Sequence, residues 1–309
     1  MTEDTYDIAI IGGGPAGFSS AVYAGRSGLR SVILEEQMAG GQVIISPSIE
    51  NWPGEKDISG QDLTVKFRDH AASYTKIVEF AGVEKITRDR EFIISTASGE
   101  FRARSILVAT GAEHRKLGVE GEDRLSGKGI SYCATCDGFF FKGKEVLVLG
   151  GGNTALLYAI YLSNIDCKVK LIHRRDEFRG EKALQEQVRD MDIELVLDSV
   201  VEEFIGDDNL ERARVKNVKT GEVREMEVSG AFVAVGEIPR NDVARMLDID
   251  LDDEGYIKVD RKMRTSVPGV FAAGDITGGL KQIVVAAGEG AIAATSAFED
   301  LMKPYWIDQ

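Results

Sequence analysis

A chain of 309 residues, 43% of them hydrophobic and 28% charged, is long enough for two domains that each bury a core. Its net charge of −14 excludes the basic surface that nucleic acid or an anionic membrane requires, and no apolar run is long enough for a membrane helix. Three cysteines do not make a disulfide-stapled secreted fold, and Met1-Thr2-Glu3-Asp4-Thr5 carries no basic or apolar leader, so the cytoplasm is the expected compartment.

Tyr6 to Ile11 is a short apolar, β-branched run that reads as a strand and ends at Gly12-Gly13-Gly14-Pro15-Ala16-Gly17. A helical stretch from Phe18 to Ser27 follows, then Gly28 as a stop and a second strand, Ser31 to Leu34. The acid Glu35 lies 23 residues beyond Gly12. Strand, Gly-x-Gly-x-x-Gly, helix, strand and acid come in the order a dinucleotide-binding unit needs. Gly12 permits a tight turn, Gly14 lets backbone amides approach a pyrophosphate, and Gly17 allows helix to pack closely on strand. Glu35 can accept from an adenosine ribose.

Residues 40 to 54 form a polar, turn-rich connection, either a loop that wraps a flat ligand or a plain surface loop. Ile58 to Tyr74 has helical spacing, which makes His70 a helix residue rather than a ligand. Alternating strands are expected at 77–80, 84–88, 91–96 and 101–109, and residues 112–118 read as an irregular domain crossing.

Cys133-Ala134-Thr135-Cys136-Asp137 comes next. Two cysteines at this spacing can close a small disulfide ring or present two thiols, storing and releasing two electrons. The adjoining Asp137 carboxyl can give a proton to a departing thiolate or take one back. The alternatives are half a zinc site or two buried cysteines; Cys167, His70, His114 and His173 form no second pair at ligand spacing. Phe139 to Phe141 fit core packing better than docking, and Cys167 reads as structural.

Glu145 to Leu149 enters a second glycine turn, Gly150-Gly151-Gly152-Asn153-Thr154-Ala155, with a strand at 168–172 beyond it. The two turns lie 138 residues apart, so the chain carries two nucleotide-binding units. Where the first places Glu35, the second places His173-Arg174-Arg175, with Arg179 one helical turn further. A carboxylate there would repel a 2′-phosphate that guanidinium groups grip, so NADP(H) is favoured over NAD(H). Strands are expected at 194–197, 200–205, 212–218, 225–228 and 231–236, and a second crossing near 237–242. A strand ending at Gly274-Asp275 and a helix from Gln282 to Leu301, rich in small residues, complete the first unit.

Over essentially its whole length the chain resembles the low-molecular-weight thioredoxin reductases. The matching blocks are Gly12–Gly17, Gly40–Gln42, Glu50–Gly54, Cys133–Asp137, Gly150–Ala155, His173–Arg175 with Arg179, and Gly274-Asp275. The resemblance implies an α/β fold of two Rossmann-like domains, with an NADPH domain (115–242) inserted into an FAD domain (1–114 and 243–309), and a homodimer. It implies that Gly12, Gly14, Pro15, Ala16, Gly17, Glu35, Gly41, Gln42, Asn51, Val83, Gly111, Asp275 and Gln282 serve FAD. It likewise implies that Gly152, Asn153, Thr154, His173, Arg174, Arg175 and Arg179 serve NADPH. Cys136 would face the flavin, Cys133 would attack the disulfide of a thioredoxin-like protein, and Asp137 would be the acid/base. Rotation of one domain on the other through the two crossings is expected to serve both half-reactions. No metal is implied. One departure stands out: after Gly-Gly-Gly-Asn-Thr-Ala the family commonly has an apolar residue and two glutamates, and this chain has Leu156-Leu157-Tyr158. Another electron donor, a small-molecule dithiol oxidase and a flavin-bearing redox sensor are the rival readings.

Overall fold

The computed structural model describes residues 5–46 and 48–302. The chain divides into two compact units, Met1–Glu113 with Ile238–Gln309, and His114–Glu237.

The first segment runs β1 (Thr5–Ile11), α1 (Pro15–Arg26), β2 (Ser31–Leu34), α2 (Gly60–Ala72), β3 (Lys76–Val78), β4 (Val83–Arg88), β5 (Phe92–Thr96) and β6 (Gly99–Val108). β1, β2, β3 and β6 pair in parallel, and β6, β5 and β4 continue the sheet antiparallel. All four residues of β2 are buried, as expected for a strand covered on both faces. α1 starts three residues earlier than the hydrophobic pattern suggests, because Pro15 is well suited to the first helical position. At α2 the Ser59 hydroxyl caps the helix by accepting from Asp62 N at 3.0 Å. His70 is exposed near the end of that helix, edge-on to Tyr74.

The inserted unit opens after β7 (Ala112–His114) with α3 (Glu122–Leu125), β8 (Ile130–Ser131) and α4 (Ala134–Asp137). It continues with β9 (Glu145–Leu149), α5 (Asn153–Asn164), β10 (Lys168–Ile172), α6 (Lys182–Asp190) and β11 (Ile193–Val196). β12 (Ser199–Ile205), β13 (Arg212–Asn217), β14 (Val223–Glu227) and β15 (Gly230–Val233) complete it. A parallel five-stranded sheet has the order β11-β10-β9-β15-β8, and β12-β13-β14 form a separate antiparallel sheet. Leu147 and Leu149 face one core, and Val146 and Val148 the other, as the two-residue period of a strand dictates. Phe141 packs edge-on against Phe232, but Phe139 and Phe140 are exposed. Core packing therefore holds for one of those three rings only, since the short 3₁₀ turn over Gly138–Phe141 points the other two outward.

The chain returns through β16 (Glu237–Pro239), which pairs with β7, so each crossing carries a three-residue paired strand, while 115–118 is irregular as expected. α7 (Asp242–Met246), β17 (Val270–Ala272) and α8 (Ile283–Met302) follow. β17 pairs in parallel with β6, and α8 packs on α1, with Ser19 Oγ donating to the Ala287 carbonyl at 2.6 Å. Both units are thus α/β units, the first on a mixed sheet with a parallel half and the second on a parallel sheet. Among the described residues no helix is long and apolar enough to cross a membrane.

Candidate functional site

The first glycine turn lies between β1 and α1. Gly12 has φ 115°, and a Cβ there would meet the Ala109 carbonyl oxygen at 2.2 Å, so no other residue fits. Gly14 is the N-cap of α1 and offers no capping side chain, which leaves the helix's first amides for a ligand. Glu35, just past β2, folds over this turn: its carboxylate accepts from Gly13 N at 2.7 Å and Gln37 N at 2.9 Å. Asn51 and Gln282, 231 residues apart, meet where Asn51 Nδ2 donates to Gln282 Oε1 at 3.1 Å. Gly41 and Gln42 are exposed at the start of a 3₁₀ turn, Val83 opens β4, and the Gly111 carbonyl accepts from Arg240 N at 3.0 Å. Asp275 heads a 3₁₀ turn just after β17.

Sequence reasoning missed Glu289. From α8 it accepts from Gly274 N at 2.7 Å and from the Thr277 hydroxyl at 3.3 Å, while burial pushes its carboxyl above the usual range. Its only sequence signal is an acid on an otherwise small-residue stretch of helix.

The second glycine turn repeats the design between β9 and α5. Gly150 has φ 153°, and a Cβ there would lie 2.3 Å from the Ala234 carbonyl oxygen. Gly152 is the N-cap of α5, with open space beside it. Thr154 is exposed, whereas Asn153 is engaged: it donates to Glu181 Oε1 at 2.9 Å and accepts from Glu181 N at 2.8 Å. The loop after β10 folds back onto the turn, with Arg179 N and Gly180 N both donating to the Gly151 carbonyl. Arg174, Arg175 and Arg179 are exposed, and among the described residues no carboxylate pairs with any of them.

His173 differs from those arginines. It is buried against the Gly151 backbone and stacked on Phe178, and its Nε2 is buried without a hydrogen-bond partner. Burial, joined by the Arg179, Arg174 and Arg175 charges and only partly offset by a bond to the Glu177 backbone, holds its pKa below the ordinary histidine value.

The redox pair sits in the same unit. Cys133 and Cys136 are joined, S–S 2.08 Å, with Cys133 as the N-cap of the one-turn helix α4. Ser131 organises the segment: its hydroxyl accepts from Cys133 N at 3.0 Å and donates to Asp137 Oδ2 at 2.5 Å. The other oxygen of Asp137 is buried without a partner. Burial raises the Asp137 pKa, and the Ser131 bond offsets only part of that, so the carboxyl holds a proton more readily than an exposed aspartate. Ser131 carries no motif and reads in sequence as an ordinary strand residue. Cys167 is free and buried, with its thiol directed to the Phe141 carbonyl at 3.2 Å, and burial pushes its pKa up.

The model of the family described as pyridine nucleotide-disulphide oxidoreductase matches residues 6–290. The chain belongs to that family. A thioredoxin reductase of Listeria monocytogenes is 41% identical over 96% of this chain and 93% of its own length. The crystal structure of thioredoxin reductase from Streptococcus pyogenes covers 97% of this chain and 99% of its own, at TM-score 0.92 and 39% identity. That of Giardia duodenalis covers the same shares at TM-score 0.89 and 35% identity. This pyridine nucleotide-disulphide oxidoreductase is a flavoprotein with FAD and NADPH as its cofactors. Its residues fit both groups: two turns that a Cβ would fill, two uncapped helix N-termini and, near the second turn, guanidinium groups with no carboxylate partner among the described residues.

Proposed function

We propose that the chain is an NADPH-dependent thioredoxin-disulfide reductase whose substrate is a small thioredoxin-like protein. The observation that carries this is the Cys133–Cys136 disulfide with the raised carboxyl of Asp137 beside it, in a chain that also has two dinucleotide turns. FAD belongs to the unit formed by Met1–Glu113 and Ile238–Gln309, and NADPH to His114–Glu237.

Gly12, Gly14, Pro15, Ala16 and Gly17 offer the flavin nucleotide a phosphate turn, and Glu35 offers its ribose an acceptor. Gly41, Gln42, Asn51, Val83, Gly111, Asp275 and Gln282 line its path. Gly152, Asn153 and Thr154 offer NADPH the same turn, with Arg174, Arg175 and Arg179 available to its 2′-phosphate. His173, packed beneath Gly151, shapes that turn rather than reaching outward.

Bound FAD supplies the two-electron relay between a nicotinamide hydride and the disulfide. The remaining steps belong to the chain's own side chains. Once the ring is open, Cys133 as thiolate attacks one sulfur of the partner's disulfide, forming a mixed disulfide and releasing the partner's other sulfur. Cys136 then attacks the Cys133 sulfur, which re-forms the ring and frees the second partner thiol. Asp137, held by Ser131, gives and takes the proton as each thiolate leaves or forms. The protein is proposed to be a cytoplasmic homodimer. Exposed Tyr23 and Ile292 line one shallow pocket formed by α1 and α8, a patch suited to a second copy.

The deciding experiment is anaerobic reduction of the yellow protein by NADPH, read as bleaching of the flavin absorbance, followed by addition of an oxidised thioredoxin. Rapid bleaching by NADPH, much slower bleaching by NADH, and stoichiometric release of thioredoxin thiols are expected. Bleaching without thiol release, or fast peroxide formation with no protein partner, would make the acceptor something else.

A further inference from the structure

Leu156, Leu157 and Tyr158, where the chain departs from its family's pattern, have three different environments. Leu156 is fully buried and Leu157 is half exposed. Tyr158 instead reaches out of α5, and its hydroxyl donates to the Tyr132 carbonyl at 3.1 Å. Tyr132 is the residue before Cys133. Its own hydroxyl donates to Glu122 Oε1 at 3.0 Å, and the buried Glu122 carboxylate also accepts from Leu117 N at 3.0 Å and Gly118 N at 2.7 Å. The His114 ring stacks on Tyr132, centroids 5.2 Å apart at 14°. Burial and the neighbouring Glu122 charge push the Tyr132 phenol upward, which keeps it a donor. Carbonyl, hydroxyl and ring face of one residue are therefore all held.

Ser131 and the buried Ala134 also hold this stretch, but its regular structure is short. β8 is two residues long and α4 four, far below the length at which a helix sustains itself. In the oxidised protein the disulfide itself is a constraint. Reduction removes it, and the spacing of the two thiols then depends on hydrogen bonds to the flanking backbone.

We propose that Tyr158 is a positioning residue for the redox pair: by holding the Tyr132 carbonyl, it keeps the reduced Cys133 and Cys136 close enough to re-form their disulfide. The inference rests on the redox reading of that pair. In the exchange, the dithiol gives up two electrons and two protons, its S–S bond forms, and the acceptor's S–S bond becomes two thiols. Thiols held together favour that direction, since each is present to the other at high effective concentration. Without the tether the closed ring is unchanged but the open form is looser. The disulfide should then be easier to reduce.

Tyr158→Phe keeps the ring and removes only the donor. The holoprotein would be equilibrated without oxygen in dithiothreitol redox buffers, its thiols trapped with a maleimide, and the state of residues 130–138 read by peptide mass spectrometry. The equilibrium should shift about three- to tenfold toward the dithiol, ~14–30 mV at 29.6 mV per decade. Tyr158→Leu should shift it equally, and Leu157→Ala not at all. No shift in either Tyr158 variant overturns the proposal. So does an equal shift in Leu157→Ala, or a rise in amide hydrogen exchange throughout 114–237 instead of within 130–138. A parental pair that does not titrate with dithiothreitol would defeat the redox reading itself.

Discussion

The two glycine turns begin alike and end differently. Gly12 and Gly150 both have positive φ, both sit against a carbonyl oxygen of a neighbouring strand end, and both lead to a helix with no N-cap side chain. At the end of the second strand, one unit has a carboxylate already bonded to its own turn, and the other has three exposed guanidinium groups. In the reading proposed above, backbone geometry would admit a dinucleotide and one short stretch beyond the second strand would choose between them. A neutral ribose suits Glu35; a 2′-phosphate suits Arg174, Arg175 and Arg179.

The comparison breaks most sharply at the turns themselves. Gly12→Val should purify without flavin colour. Gly150→Val should stay yellow and bleach with dithionite but not with NADPH. Loss of flavin from the second variant would show that the two turns do not act independently.

Next in size is a contrast between two carboxyls that burial raises, one in each unit. Asp137 has an oxygen with no partner, whereas Glu289 accepts from two donors. Asp137→Asn should slow transfer from the dithiol to an acceptor disulfide by ~10²–10⁴-fold. Glu289→Gln should leave that rate unchanged, and stopped-flow mixing of pre-reduced protein with acceptor separates the two.

A smaller effect belongs to the arginines. Charge-assisted bonds contribute about 1.5–3 kcal/mol each, and at the low end that suits exposed groups Arg174→Ala with Arg175→Ala should raise the KM for NADPH by ~10²-fold. The KM for NADH should not move. An equal loss with both nucleotides would mean that the arginines serve something other than the 2′-phosphate.

The smallest effect is on stability. Because the Asp137 pKa is raised in the fold, its contribution is complete below the unfolded carboxylate value of ~3.9 and is lost as pH rises through the raised value. Asp137→Asn should therefore melt above the parent at pH 8 and level with it near pH 4. Calorimetry at both pH values tests the sign.

Much of this was legible in the residues because the informative features are local. A glycine needed for positive φ, a Cys-x-x-Cys pair and a run of arginines each carry their chemistry within a few positions. α6 went unread: its apolar stripe is short, with Leu184 and Val188 one turn apart and only Val188 fully buried in nine otherwise mostly polar residues. The β7–β16 pairing lies in segments whose polar composition suggests loops, and its hydrogen bonds join strands far apart in sequence. Ser131, Glu122 and Glu289 escaped notice for the same reason. Their importance lies in which donors and acceptors the fold brings to them, and residue identity alone does not show that.

The insertion of one unit within the other also orders events during synthesis. β1 to β6 are made before the inserted unit, yet β17 and α8, which complete their sheet and cover α1, are made after it. The 114–237 unit is continuous in sequence and can finish folding while its host still waits for β17 and α8. The stretch of protein that begins second is the one ready first. Until α8 is made, the apolar face of α1 that it covers stays open to solvent.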